Sequence, residues 1–549
     1  MLTIGLISFI LAVPIFSYRI PATVFSRITS IILMFSAVLT CNCLYNYPVT
    51  YGGIGLYSGL FQVSTITLGF QLLLLITGSM LLFAWGPVIG DNNNTDVVFP
   101  ANIGNSAIER SVSINSNYVH VNTISEQSLV VLFSVLGGCL LISSFNIVSM
   151  YMAIELQSFA AYIMSTLYRN SQSATSAGLK YFLLGSLASG IIVLGTAVIY
   201  SGTGVTSYED LATLISVGND PNSYVTICIA GGLLLIGIGY IFKVGAAPLY
   251  NWAPDVYDGV PSIITSWVST IPKISILVFL LNLSFIATGY NFTWSNELQE
   301  TVGNLYTVYA QPFQTLLLVC SVMSFIVGSI VGLSQVRIKR LLTFSTITHV
   351  GFMLLALAVS SEESIEGFVF YLTQYTLTNV NVFLTLLAFG YITKGIIIRN
   401  NKTDIREFTL LDDLKGQFYK NPLLTISFGL SLFSIAGIPP LVGFFGKQLV
   451  LYSVSYNYSY VAIIAIVTSV ISASYYLKIV QLMFFSKDSV NTVINSNNEN
   501  NQNYDDQPLV TTMHSSVISI LTLAITFYML DSSILLNACR LMSLSLFTT

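Results

Sequence analysis

The chain is predicted to be an all-α, polytopic membrane protein with about fourteen transmembrane helices, among them two inverted five-helix repeats with broken helices. Composition is the first ground. Of 549 residues, 54% are apolar and only 8% charged, with a mean hydropathy of +0.77, whereas soluble proteins carry about 25% charged residues. Such a chain cannot clothe a water-facing surface, which excludes soluble enzymes, nucleic-acid-binding proteins and disordered tails. The net charge of −4 implies no ionic partner. The second ground is the recurrence of apolar runs near the roughly 20 residues that cross a bilayer core of about 30 Å. The third is the placement of Lys and Arg between those runs.

The runs occupy 2–18, 28–45, 65–85, 128–144, 147–168, 176–200, 224–257, 260–283, 313–333, 341–360, 364–393, 421–455, 458–485 and 512–538. Backbone in lipid must satisfy its own hydrogen bonds, so each run is read as a helix. Barrel strands would alternate, and these runs do not. The odd-numbered connections hold Arg19, Arg27, Arg110, Arg169, Arg337, Lys339, Arg340, Lys394, Arg399, Lys402, Arg406, Lys415, Lys420 and Lys487, and the even-numbered ones hold no Lys or Arg. This segregation is the positive-inside pattern, and it puts both termini on the side opposite the basic connections.

The Asn- and Ser-rich stretches 86–127 and 488–511 read as flexible surface loops. The expected organisation is three N-terminal helices (1–85), a polar insertion (86–127), a first repeat of helices four to eight (128–283), a second of helices nine to thirteen (313–485), a polar loop (486–511) and helix fourteen (512–549). The chain starts directly in an apolar run without a basic leader, so the first span is expected to be retained. Spans this apolar are hard to import after synthesis, and the richness in Asn, Ile, Tyr and Phe suggests an AT-rich genome. Both point to translation inside an organelle.

Redox and nucleotide chemistry find few ligands. Cys41, Cys43, Cys139, Cys228, Cys320 and Cys539 form no CxxC pair, and His120, His349 and His514 lie far apart. Neither an iron–sulfur cluster nor a structural zinc site fits these spacings, and haem ligation by two distant histidines is the weaker alternative. Gly443 to Lys447 approaches a phosphate loop, but Leu441 replaces its first glycine and Gln448 its Ser/Thr. No cofactor or metal is expected in this chain.

Five lysines, Lys180, Lys243, Lys273, Lys447 and Lys478, sit within apolar runs, where each costs about 2.5–3.5 kcal/mol at mid-helix. Glu155 is the clearest acidic residue at membrane depth. Lys180 and Lys478 lie nearest helix ends and can snorkel to the interface, the preferred reading for Lys478. A purely structural ion pair with Glu155 is the bland alternative, yet one carboxylate cannot neutralise four lysines. Desolvation lowers a lysine pKa and a nearby carboxylate raises it. Moving Glu155 relative to a lysine such as Lys243 would therefore change that lysine's proton affinity. A shift of two pKa units is about 2.7 kcal/mol, comparable with carrying one charge through roughly 100 mV.

Proline breaks reinforce the idea. Pro248 interrupts the seventh span, and Pro439 with Pro440 interrupts the twelfth. Unwound backbone at membrane depth is tolerated where it is buried in protein or lines a cavity. Breaks five helices apart cross in opposite directions, as in inverted repeats with an ion path between them. His349, in the tenth span, is then the counterpart of the helix carrying Glu155. It is either a relay or a satisfied core histidine.

The run from Lys243 to Pro261 (KVGAAPLYNWAPDVYDGVP) resembles a signature of the antiporter-like subunits of respiratory complex I. So do Leu411 to Gly416 (LDDLKG) and Ser434 to Lys447 (SIAGIPPLVGFFGK), with Ala177 to Tyr181 and Ile271 to Lys273. The similarity covers roughly 125–485. It implies that Glu155, Lys180, Lys243, Lys273 and Lys447 match proton-path positions, with His349 less firmly matched. It also implies that NADH, FMN, iron–sulfur clusters and ubiquinone belong to partner subunits. The partners would be other membrane-arm subunits, further antiporter-like ones included, together with lipids and no nucleic acid. The polar insertions and Asn bias suggest a fungal mitochondrion, hence the inner membrane with both termini in the intermembrane space. In this expectation Lys243 with Glu155 is a switchable pair, Lys273 a central relay, Lys447 the outward terminal, and Lys180 lies on the uptake side. A cation/proton antiporter and a structural scaffold without proton traffic are the alternatives.

Overall fold

The computed structural model describes residues 1–16, 20, 22–46, 53–85, 125–168, 171–217, 224–288, 299–399, 407–486 and 510–547. At 22, 288, 299–310, 392–399 and 547 it describes the backbone alone. Residues 86–124 and 487–509 of the polar stretches lie outside the described residues, as do Arg19, Arg110, His120, Arg169, Lys402, Arg406 and Lys487.

The molecule is an all-α membrane protein. Its helices are α1 (Leu2–Phe16), α2 (Ala22–Asn46), α3 (Thr65–Phe83), α4 (Ser125–Ser143), α5 (Ile147–Thr166), α6 (Gln172–Thr203), α7 (Tyr208–Val217), α8 (Tyr224–Val244), α9 (Trp252–Gly259) and α10 (Ser262–Thr288). There follow α11 (Gln299–Leu333), α12 (Ile338–Val359), α13 (Glu362–Arg399), α14 (Gln417–Lys420), α15 (Pro422–Ala436), α16 (Val442–Asn457), α17 (Ser459–Phe485), α18 (Thr512–Phe527) and α19 (Ser533–Phe547). Among the described residues eleven helices are long and apolar enough to cross a membrane, and α1, α15 and α19 are shorter apolar helices.

Local chemistry explains several boundaries. Asn146 caps α5, its side chain accepting from Val148 N–H while Ser149 accepts from Asn146 N–H. This sets the register that carries Glu155. Without a hydrophobic drive between helices in lipid, small residues let backbones approach closely. Where α6 meets α8, a Cβ on Gly195 would come within 2.8 Å of the Gly232 carbonyl. The central helices α10 and α12 are almost wholly enclosed by their neighbours, and they bring Lys273 and His349 to the middle of the bundle.

The seventh and twelfth spans are each two helices. α8 ends at Val244, and Gly245 turns left-handed at φ 80°. Its N–H donates to Ile241 and Phe242 carbonyls while Ala246 N–H returns to Ile241. α15 ends at Ala436 with Gly437 at φ 86°, its N–H donating to Phe433 and Ser434 while Ile438 N–H returns to Phe433. These are the same helix-end closure, which satisfies carbonyls the broken helix leaves bare. Each glycine is followed three residues later by a proline in a cis bond, Pro248 and Pro440.

Other features differ from the apolar pattern. Residues between the second and third spans form an antiparallel hairpin, β1 (Ile54–Leu56) with β2 (Phe61–Val63). The Leu60 carbonyl accepts from Phe145 N–H and Ser149 Oγ, so the hairpin closes over the α4–α5 turn. The amphipathic α7 falls between the sixth and seventh spans. The run 512–538 is not one helix: it divides at Asp531 after a 3-10 turn (Tyr528–Leu530), and α19 continues to Phe547. An apolar tally passes over the single aspartate that ends the helix.

Candidate functional site

Lys243 occupies the last turn of α8, just before the break, and its Nζ donates to Glu155 Oε1 at 3.0 Å and to Ser158 Oγ at 3.4 Å. The lysine side chain is 5% exposed and the glutamate 13%. Trp252, the first residue of α9, donates from Nε1 to the Phe242 carbonyl at 2.9 Å and stacks on Tyr181, which ties the two halves together. A small, mostly apolar cavity lies against the amine, where Ile154, Phe242, Trp252 and Ile276 line it together with Gln157 and Ser158. Gln157, half a turn from Glu155, accepts from Ser275 Oγ at 2.8 Å. A buried cation–carboxylate pair in hydrogen-bond contact, with Ser158 and Gln157 nearby, can pass a proton between its members without crossing hydrocarbon.

Lys273 follows Pro272 in the middle of α10 and is 4% exposed. Its amine donates to Thr346 Oγ1 at 2.9 Å and stands 5.5 Å above the Tyr257 ring. Thr346 and His349 are three residues apart on α12, neighbours on one face. His349 Nδ1 lies 2.6 Å from Tyr371 OH on α13, and its Nε2 meets no partner among the described residues. Tyr375 flanks the same ring.

Lys447 sits in the second turn of α16, 9% exposed. Its Nζ donates to the Ala436 carbonyl at 2.8 Å and lies 5.8 Å from the Phe352 ring. The amine thus covers the carboxyl end of α15 across the gap, where the helix dipole favours a cation.

Lys180 is not brought to this buried group. Its side chain is 56% exposed and pairs with Asp255 of α9 at 3.0 Å. Lys478, on α17, is exposed. At the same end as Lys180, Asp258, 8% exposed, receives Arg337 at 2.5 Å and Arg340 at 3.0 Å. Lys339 donates to the Val260 carbonyl at 2.8 Å and pairs with Glu407 at 2.7 Å. The basic start of α12 is thereby clamped to α9, directly after the first break.

Thr346, Tyr371, Tyr375, Ser158, Gln157 and Asp258 were not singled out from sequence. Asp258 alone carried a signal, a charge inside the motif that begins at Lys243.

A bundle with two like breaks, each beside a buried amine, defines a class. The chain belongs to the NADH:quinone oxidoreductase/Mrp antiporter family of membrane proteins, which matches residues 144–472. Within that family the likeness narrows to one kind of subunit. NADH-ubiquinone oxidoreductase chain 2 of Rhizopus oryzae is 44% identical over 563 aligned residues, covering all of both chains. The chain 2 of Marchantia polymorpha is 33% identical over 468 residues, covering 83% of this chain and 86% of its own. Among solved structures, a chain of Thermus thermophilus respiratory complex I with bound aureothin superposes with a TM-score of 0.66 at 23% identity, covering 98% of this chain and 100% of that one. A chain of an archaeal membrane-bound sulfane sulfur reductase gives 0.75 at 19% identity, covering 100% and 97%. One of the Mrp complex from Dietzia sp. DQ12-45-1b gives 0.71 at 15%, covering 100% and 96%. At these identities the structural likenesses carry the fold.

Proposed function

We propose that the chain is a proton-translocating membrane-arm subunit of respiratory complex I, working in the mitochondrial inner membrane with both termini in the intermembrane space. NADH oxidation and ubiquinone reduction, with the FMN and iron–sulfur clusters they need, belong to partner subunits, and that redox step drives proton movement through this chain. The fourteen crossings and the inverted repeats at 128–283 and 313–485 belong to the same reading. The matching closures at Gly245 and Gly437 support the repeats.

In this reading the Glu155 carboxylate holds Lys243 charged while they touch, and separation frees the proton. Gln157 and Ser275 bridge towards Lys273, Thr346 and His349 relay it, and Tyr371 leads on to Lys447 on the outward side. Lys180 collects protons at the Lys/Arg-bearing surface. The observation that carries the proposal is the buried 3.0 Å contact between Glu155 and Lys243 beside a helix break. The test is NADH-driven pumping by the assembled complex in vesicles carrying Glu155→Gln or Lys243→Met. Pumping should collapse in both, and normal pumping in both would leave a scaffold. Sodium-dependent transport by the isolated chain would favour a cation/proton antiporter instead.

A further inference from the structure

That route leaves a buried polar stripe unused. α13 carries Gln374, Thr378, Asn381 and Thr385 at steps of four, three and four residues, which places them on one helix face. Their exposures are 2%, 1%, 0% and 0%. Neither Oδ1 nor Nδ2 of Asn381 meets a hydrogen-bond partner among the described residues, and Gln374 Oε1 is likewise unmet. Asn379, on another face, shows the contrast by reaching Ser269 and Tyr375 at 3.5 Å each. Thr378 and Thr385 donate to the Gln374 and Asn381 carbonyls, at 3.0 and 2.9 Å. Their oxygens remain free to accept. Buried amides with no partner cost stability that an apolar side chain of similar size would not.

The stripe has two definable ends. At one, the Gln374 carboxamide lies against α16: a Cβ on Gly443 would stand 3.1 Å from its Nε2, and one on Gly446 3.3 Å from its Oε1. Lys447 is the next residue. Tyr371, one turn earlier, bonds to His349. At the other end, Phe389, one turn beyond Thr385, packs on Phe408 and Phe428 with centroids 6.0 and 6.1 Å apart. Phe408 adjoins Glu407, the partner of Lys339. Gln374 and Thr385 are about 16 Å apart along the helix. The stripe therefore runs from the Lys447 site towards the Lys/Arg-bearing end of the bundle, from which the Phe389, Phe408 and Phe428 rings separate it.

We infer that this face of α13 binds a file of water that delivers protons from the Lys/Arg-bearing side to Lys447. The inference rests on the proton-translocation reading and adds a second point of uptake, in the second half of the chain. Water suits the stripe because it offers donors and acceptors together, and an ordered water needs two to four such partners. The stripe carries no carboxylate, so it offers a metal cation no charged ligand.

A density map of the whole complex that resolves water tests this on the unaltered protein. Peaks are expected within hydrogen-bonding distance of Asn381 and of Gln374 Oε1, and a dry stripe overturns the inference. Asn381→Leu fills the site with an apolar side chain. In the assembled complex it should lower NADH-driven pumping severalfold, and Asn381→Ser should recover much of the loss. An Asn381→Leu complex that pumps like its parent, while Lys447→Met does not pump, overturns the conduit and leaves translocation standing. Unaltered pumping in both variants removes the translocation reading and the conduit with it. Should Asn381→Leu fail to assemble, the water map decides alone.

Discussion

The Lys447 amine donates to the Ala436 carbonyl 2.8 Å away, bridging the gap within its own broken span. The lysine arrives from the helix after the gap and meets the last carbonyls of the helix before it. Gly437 suits this turn because its φ of 86° is left-handed, and a Cβ there would also stand 2.9 Å from Lys447 Cδ and push the lysine stem aside.

Gly437→Ala is accordingly expected to destabilise the chain by about 1–2 kcal/mol through the left-handed backbone alone, with the displaced lysine adding to the loss. A thermal melt of the purified complex, read beside its pumping rate, checks this. An unchanged melting temperature would mean that Gly437 is not held at its positive φ.

Removing one member of the Glu155–Lys243 pair leaves the other buried and uncompensated, a loss of about 3–5 kcal/mol for a fully buried pair. Glu155 is partly open, so the lower end of that range applies. The double variant Glu155→Gln with Lys243→Met should be less destabilised than the two single losses summed. A double-mutant cycle on complex stability gives the coupling directly, and strict additivity would show that the pair does not interact.

Thr346→Val keeps the shape beside Lys273 and deletes its hydrogen-bond acceptor. The expected cost is about 1–3 kcal/mol, with slower pumping, while Thr346→Ser stays close to the parent in both. Equal behaviour of the two variants would assign the site to packing rather than to the hydroxyl.

At the basic end the two acidic residues should separate in effect. Lys180 and Asp255 are both well exposed, and such pairs contribute about 0–1 kcal/mol. Lys180→Met should therefore leave stability nearly unchanged, and any fall in pumping then reports on proton uptake. Asp258→Ala strips two arginines of a buried acceptor and should cost about 1–3 kcal/mol. Matched unfolding curves of the two variants would refute the clamp.

What could be read from the chain follows from how expensive each feature is in lipid. A lysine inside an apolar run is conspicuous because nothing but burial with partners or function keeps it there, which is why Lys243, Lys273 and Lys447 stood out. Pro248 and Pro440 announced interruptions because proline removes a helix bond and crowds the preceding turn, although Pro272 is accommodated within α10. Hydroxyls and amides carry no such mark. Thr346 and Thr378 satisfy themselves on their own helix carbonyls, so a polar residue that meets an amine looks like one that meets nothing. Lys180 shows the opposite limit. Its helix is apolar on every side, but the lysine faces outward to Asp255, a partner 75 positions further on that no local pattern could supply. The β1–β2 hairpin and α7 escaped because hydropathy counts crossings and is blind to what closes their ends.

The two helix interruptions end alike but draw their charge from opposite chain directions. Lys243 precedes its glycine by two positions, whereas Lys447 follows its own by ten. At the second break the ammonium covers the carbonyl end of the preceding helix, whereas at the first it is held by the Glu155 carboxylate. The two breaks thus share a backbone but not an electrostatic partner, so a change that removes carboxylate charge would unsettle the first and spare the second.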